Sequence, residues 1–186
     1  HGDLFSTADC RSLLSEERRI AEMVAVECAL AKAQGACGVI PADAAETISA
    51  ALKDFVPDLT AVGAGTEFAG VPVPALVAQL RNKVGGDAAG YVHFGGTSQD
   101  IIDTALALVL RDVLDDFEAQ LGQIIASLGD QARAHRDTVM LARTRMQQAA
   151  PTTFGLKVVN WREPLLRNCA RLNELRSRLL VVQLGG

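Results

Sequence analysis

Tyr91 to Ala105 reads YVHFGGTSQDIIDTA, and how this stretch is read decides the fold. A polar turn carrying Gly95, Gly96, Thr97 and Ser98 runs straight into an apolar helical pattern. Thr97 followed three residues later by Asp100 fits the capping-box spacing. This predicts Thr97 or Ser98 as the helix cap and places Asp100 and Asp103 in the electropositive first turn. Two hydroxyls, flexible glycines and the free N–H groups of a helix start together suit a carboxylate or a phosphate. Capping boxes are common, so these four residues alone also read as nothing more than a helix start. The context argues for more. His93 stands just before the turn, and the helix after it (Ile101, Ile102, Ala105, Leu106, Leu108, Val109, Leu110) is apolar nearly all round, which predicts burial inside a bundle.

Outward from this corner, composition points the same way. The 186 residues fall in the single-domain size range; 49% are apolar and only 4% aromatic, with Ala and Leu dominant, which suits close-packed helices. An all-α fold is expected. A net charge of −4 offers no basic field for nucleic acid or an anionic membrane, so any attraction for an anionic substrate has to be local. No run of about 18 apolar residues exists to span a bilayer, and the start of the chain lacks a secretory pattern, so a cytoplasmic location is expected. Cys10, Cys28, Cys37 and Cys169 show no ligand or disulfide spacing, and the histidines at 1, 93 and 135 are scattered. No metal or organic cofactor is expected.

Helical periodicity organises the rest of the chain. Ser6 or Thr7 caps a short turn, and apolar residues from Ser15 recur at helical steps until Gly35 and Gly38. Pro41 opens a helix to about Phe55. Glycines and prolines between Pro57 and Gly90 leave room for two short helices. From Ile101 to about His135, Leu106, Val109, Val113, Phe117, Leu121, Ile124 and Leu128 predict one helix of about 50 Å, long enough to want neighbours from other subunits. Gly122 and Gly129 within it are read as packing glycines, since each otherwise costs about 1 kcal/mol relative to Ala. A last helix is expected from Pro151 to about Val182, kinked at Pro164. Its arginines interleave with Glu163 and Glu174 and lack an aromatic platform, so they read as a solvated flank and not a nucleic-acid surface. Glu27 reads as a partly exposed helix charge or an ion-pair partner, and Arg143 as a structural ion pair.

VHFGGTSQDIIDTAL resembles the second shared region of the fumarase and aspartase superfamily. With Gln99 after Ser98 it is most similar to the 3-carboxy-cis,cis-muconate cycloisomerases and the adenylosuccinate lyases. The DLFST opening, the ECALAKAQ helix and the GVIP turn resemble the cycloisomerases. So does GVPVP at 70–74, where adenylosuccinate lyases carry a phosphate-contacting histidine that this chain lacks. LARTRMQQAAPTTFGLK resembles the superfamily's GRTHxQxAxPxTxG region, but Arg145 stands where the acid/base histidine would be. The cycloisomerases also lack that histidine and share the frame of Arg143, Thr144, Gln147, Gln148, Ala149 and Pro151. An arginine offers a permanent forked cation and no proton shuttle near neutral pH.

The resemblance implies an N-terminal helical domain at 1–90 and, at 91–186, the first part of a central long-helix bundle. The family's third region is missing, so the chain corresponds to the N-terminal portion of the family and is expected to be inactive alone. Family sites draw one region from each of three subunits of a homotetramer. The implied activity is lactonisation of 3-carboxy-cis,cis-muconate to a carboxymuconolactone in protocatechuate (β-ketoadipate) degradation. The candidate catalytic residues are His93 and Ser98. Thr97, Ser98, Gln99, Thr144, Arg145 and Gln147 are the candidates for binding a small, multiply carboxylated substrate. Two alternatives stay open: an adenylosuccinate or argininosuccinate type of lyase, and a non-catalytic truncated helical oligomer.

Overall fold

A computed structural model describes Leu4 and residues 6–185; His1, Gly2, Gly186 and, of the DLFST opening, Asp3 and Phe5 lie outside them. The described elements are α1 (Ala8–Leu13), α2 (Glu16–Ala36), α3 (Ala42–Leu52), α4 (Leu59–Ala69), α5 (Val73–Val84), a 3₁₀ turn (Asp87–Tyr91), α6 (Ser98–Ala134), β1 (Val139–Thr144), β2 (Gln147–Thr153) and α7 (Phe154–Leu179). The all-α expectation holds apart from one hairpin. Contacts divide the chain into two units: one runs up to Arg111 and takes in the segment from Leu180 on, and the other is Asp112–Leu179.

The boundaries of the first unit follow local chemistry. Thr7 caps α1 and Ser15 caps α2, each hydroxyl accepting the N–H three residues on. Gly38 and Gly70, at φ 69° and 77°, turn the chain after α2 and α4 in a conformation that glycine adopts without a Cβ clash. The core gathers Met23, Ile48, Val73, Leu76, Leu80, Val92 and Ile101, each at most 2% exposed. At about 1.5–3 kcal/mol per fully buried large apolar side chain, this cluster is the main force holding α2 to α6 in register.

In the second unit α6 runs on unbroken while α7 returns beside it. Arg176 ties the two, its Nε and Nη2 donating to Glu118 at 3.1 and 2.8 Å and Nη2 also to Asp115 at 2.6 Å. Near the start of α7, Phe154 stacks edge-on against both His135 and Trp161.

Three expectations need correction here. Pro151 does not open the last helix: it pairs with Leu141 in the β1–β2 ladder, and α7 starts at Phe154 behind a Thr153 hydroxyl that accepts the Leu156 N–H at 3.2 Å. A two-stranded ribbon consists only of edges, so a proline without a donor fits there. Gly122 has open space where a Cβ would stand, so it is no packing glycine, while Gly129 lies against the Arg162 guanidinium. The close approach is at Gly155, where a Cβ would fall 2.6 Å from the Ala132 carbonyl oxygen and 2.7 Å from the Arg136 Cα. Finally, α6 is not buried all round: Leu106, Phe117 and Ile124 are exposed.

Backbone cannot yield as a flexible side chain can, so Gly155→Ala is expected to destabilise the second unit by about 1–3 kcal/mol through overpacking. Trp161, the only tryptophan, lies in this unit. A urea transition followed by its fluorescence should shift to lower denaturant, and an unchanged midpoint would contradict the packing.

Candidate functional site

The turn from Val92 to Thr97 is held from two sides. Arg81 on α5 donates to the Val92 carbonyl at 3.1 Å, and Gln34 on α2 donates to the Phe94 carbonyl at 2.6 Å. Tyr91 and Phe94 rings meet at 6.0 Å. His93 itself sits at φ 61°, a left-handed conformation uncommon for non-glycine residues though less so for Asn, Asp and His, and Gly95 at φ 69° completes the bend. Gln34 lies 60 residues from Phe94 in sequence and Arg81 lies 11 from Val92. The turn is thus a shaped corner pinned to the core, not a floppy link.

At the helix start the capping expectation is met only in part. The Asp100 carboxylate accepts the Thr97 N–H through Oδ2 at 3.0 Å, the reciprocal half of a capping box. The Asp100 N–H goes to the Thr97 carbonyl at 3.1 Å instead of the hydroxyl. Asp100 is only 2% exposed, and its Oδ1 also accepts the Gly185 N–H at 2.9 Å. Asp100 engages the Thr97 N–H, while the Thr97 and Ser98 hydroxyls have no hydrogen-bond partner among the described residues. Thr97 is exposed and Ser98 half-buried. The Gln99 amide donates to Asp103 at 2.6 Å on the exposed face of α6. A helix terminus with two unengaged hydroxyls and orphan N–H groups can accept an anion.

His93 brings in a residue that the sequence reading misjudged. Its Nδ1 lies 2.6 Å from Oε1 of Glu27, whose side chain is 1% exposed. Glu27 is therefore buried and not the partly exposed charge expected. Its pairing role stands, with a partner 66 residues away. The signal that could have found it is the apolar company of Glu27 on α2, among Met23, Val24, Val26 and Ala31, all buried. A charge at such a position needs a partner.

Beside this pair, burial pushes the Cys28 thiol above its ordinary pKa, opposed by Lys32 and aided by Glu27. A raised thiol pKa means less thiolate at a given pH. Iodoacetamide at pH 8 should therefore alkylate Cys28 more slowly than exposed Cys37, as read by peptide mass spectrometry. Equal rates would contradict the burial.

The other candidates, Thr144, Arg145 and Gln147, stand on the β1–β2 hairpin of the second unit. Arg145 and Met146 form its two-residue turn at φ 47° and 65°, the twist that a type I′ hairpin requires, though neither is glycine or asparagine. Each such residue costs about 1–2 kcal/mol. Thr144, Arg145 and Gln147 are all exposed, and Arg145 has no ion-pair partner among the described residues. Arg143 has none either, which corrects the structural ion pair expected for it.

Two clefts of the first unit lie elsewhere. One, of about 280 Å³, is lined by Ile20, Met23, Val62 and Pro72. The other, of about 360 Å³, is lined by Leu30, Leu108, Val182 and Leu184. Neither includes Thr97 or Ser98. No described helix is long and apolar enough to cross a membrane.

Comparison with known proteins bears on this geometry. A family model described as "Lyase" matches residues 8–186. The 3-carboxy-cis,cis-muconate cycloisomerase of Acinetobacter baylyi is 38% identical over all of this chain and 42% of its own length. The adenylosuccinate lyase of Methanocaldococcus jannaschii is 35% identical over 98% of this chain and 39% of its own. Among solved structures, the β-carboxy-cis,cis-muconate cycloisomerase of Acinetobacter calcoaceticus superposes with a TM-score of 0.96 at 40% identity, covering all of this chain and 44% of that one. The chain thus spans about 40% of the length of the curated relatives it matches. With a braced HFGGTSQD corner at the head of a long helix and a family match over nearly every residue, the chain belongs to the lyase family of the fumarase and aspartase superfamily.

Proposed function

We propose that this chain is part of a cytoplasmic 3-carboxy-cis,cis-muconate cycloisomerase acting in protocatechuate degradation. In the whole protein, four copies would assemble composite sites. The observation that carries the reading is the pair of unengaged hydroxyls, Thr97 and Ser98, at a helix N-terminus whose own cap is supplied by Asp100. The hydroxyl corner, which lines neither cleft, and the exposed hairpin suit a site completed by neighbouring subunits. Residues 1–90 would form the family's N-terminal domain and 91–186 the first part of its central bundle.

In this reading, Thr97, Ser98 and the first N–H groups of α6 hold one substrate carboxylate, with Gln99 beside them. Arg145 takes another carboxylate, supported by Thr144 and Gln147. A third carboxylate oxygen adds to the conjugated double bond, closing the C–O bond of the lactone. The π electrons move into the adjoining carboxylate as a doubly charged aci-carboxylate, and its α-carbon then accepts a proton. Tethering makes the addition unimolecular, so catalysis comes from orientation and from stabilising the developing charge. His93 hydrogen-bonds the substrate or positions the proton donor. No cofactor enters this scheme.

The 35% identity to an adenylosuccinate lyase keeps a second reading in play. Against it stand Arg145 at the acid/base position and the missing histidine at 70–74. The test is product analysis with the whole protein. Loss of the conjugated ultraviolet band of 3-carboxy-cis,cis-muconate, with lactone formed, is expected. Fumarate released from adenylosuccinate or argininosuccinate, with the muconate untouched, would overturn the proposal. If neither substrate reacts, the chain is an assembly element and the proposal also falls. The 186-residue chain alone is expected to turn over neither.

A further inference from the structure

We propose that Glu27 is a positioning residue that fixes the tautomer of His93, leaving Nε2 as the ring nitrogen offered to the substrate. The inference deepens the reading above and rests on it only for the identity of that substrate. An ionised carboxylate can only accept, so at 2.6 Å from Glu27 Oε1 the proton lies on Nδ1. The Glu27 side chain is 1% exposed, and its Oε2 has no partner among the described residues. Among the described residues the His93 N–H is then the only donor to a carboxylate that burial has cut off from water, which makes giving up that bond costly.

The other edge of the ring is different. Nε2 makes no hydrogen bond among the described residues, and the His93 side chain keeps 16% exposure against 1% for Glu27. The left-handed backbone at His93 holds the imidazole at the turn that leads to Thr97. A neutral imidazole with its proton on Nδ1 presents a lone pair at Nε2, and a charged one presents an N–H there. Either way Glu27 decides which nitrogen acts.

The test is the tautomer of His93, read from two-bond ¹H–¹⁵N correlations of the labelled 186-residue chain above the imidazole titration range. The expected pattern is a proton on Nδ1 with Nε2 bare. Glu27→Leu should lose it, and Glu27→Gln should restore it, since the amide oxygen can replace Oε1. A purely space-filling glutamate would leave the pattern alike in all three. A proton on Nε2 in the unaltered chain, or one retained on Nδ1 in Glu27→Leu, overturns the proposal. If Glu27→Leu does not fold, the unaltered chain and Glu27→Gln still decide, because Nε2 protonation in either counts against it. The readout needs no turnover, so this inference and the cycloisomerase reading fail separately.

Discussion

Replacing His93 with glycine is expected to lower the stability of the first unit by about 3–5 kcal/mol, the usual cost of removing one partner of a buried pair. Glycine is the informative choice because it adopts φ near 61° without strain, and its unfolded-chain entropy cost is shared by the single and double variants, so the difference between them reports the stranded carboxylate. Glu27 would keep a buried charge whose Oε2 already lacks a partner, and Oε1 would join it. Removing the charge as well, in Glu27→Leu with His93→Gly, should recover most of the loss, since buried pairs are often replaceable by apolar residues. Trp161 lies in the other unit and does not report on this one, so amide hydrogen exchange along α2 is the appropriate measurement. Equal losses in the single and double variants would contradict the account of this pair.

The second large effect concerns catalysis. In the whole protein, Ser98→Ala is expected to lower kcat for lactonisation by about 10²–10³-fold, the range seen when one preorganised donor to a developing negative charge is removed. The fold should tolerate the change, because the Ser98 hydroxyl has no hydrogen-bond partner among the described residues and Asp100 supplies the helix cap. On the proposed reading, with the carboxylate held by Ser98 the one that becomes the aci-carboxylate, the effect should fall on kcat more than on KM. Full activity in Ser98→Ala would remove that hydroxyl from the chemistry.

What was legible in the sequence divides along a physical line. Ser15 and Gly38 announced both ends of α2, and the three- and four-residue steps from Ile101 announced the long helix, because capping and amphipathic periodicity are local. The hairpin was hidden: Pro151 is as good an opening residue for a helix as it is a tolerated edge residue, and both strands are largely exposed, with β1 alternating only between exposed and half-buried positions. Gly155 looked ordinary because the atoms crowding it come from the end of α6. The hydroxyl corner was recognisable from its residues, yet its bracing by Gln34 and Arg81 and the burial of Glu27 under His93 arise from contacts with no local signature. The cap itself was half right, since the reciprocal Asp100 bond formed and the hydroxyl bond did not.

The central claim is that Thr97 and Ser98 grip a carboxylate of a small polyacid. A crystal structure of the whole protein with 3-carboxy-cis,cis-muconate or its lactone bound tests this most directly. The account predicts a ligand carboxylate oxygen at about 2.7–3.0 Å from at least one of the two hydroxyl oxygens, with the His93 Nε2 edge facing the ligand. A ligand seated elsewhere, with both hydroxyls facing only water, would contradict it.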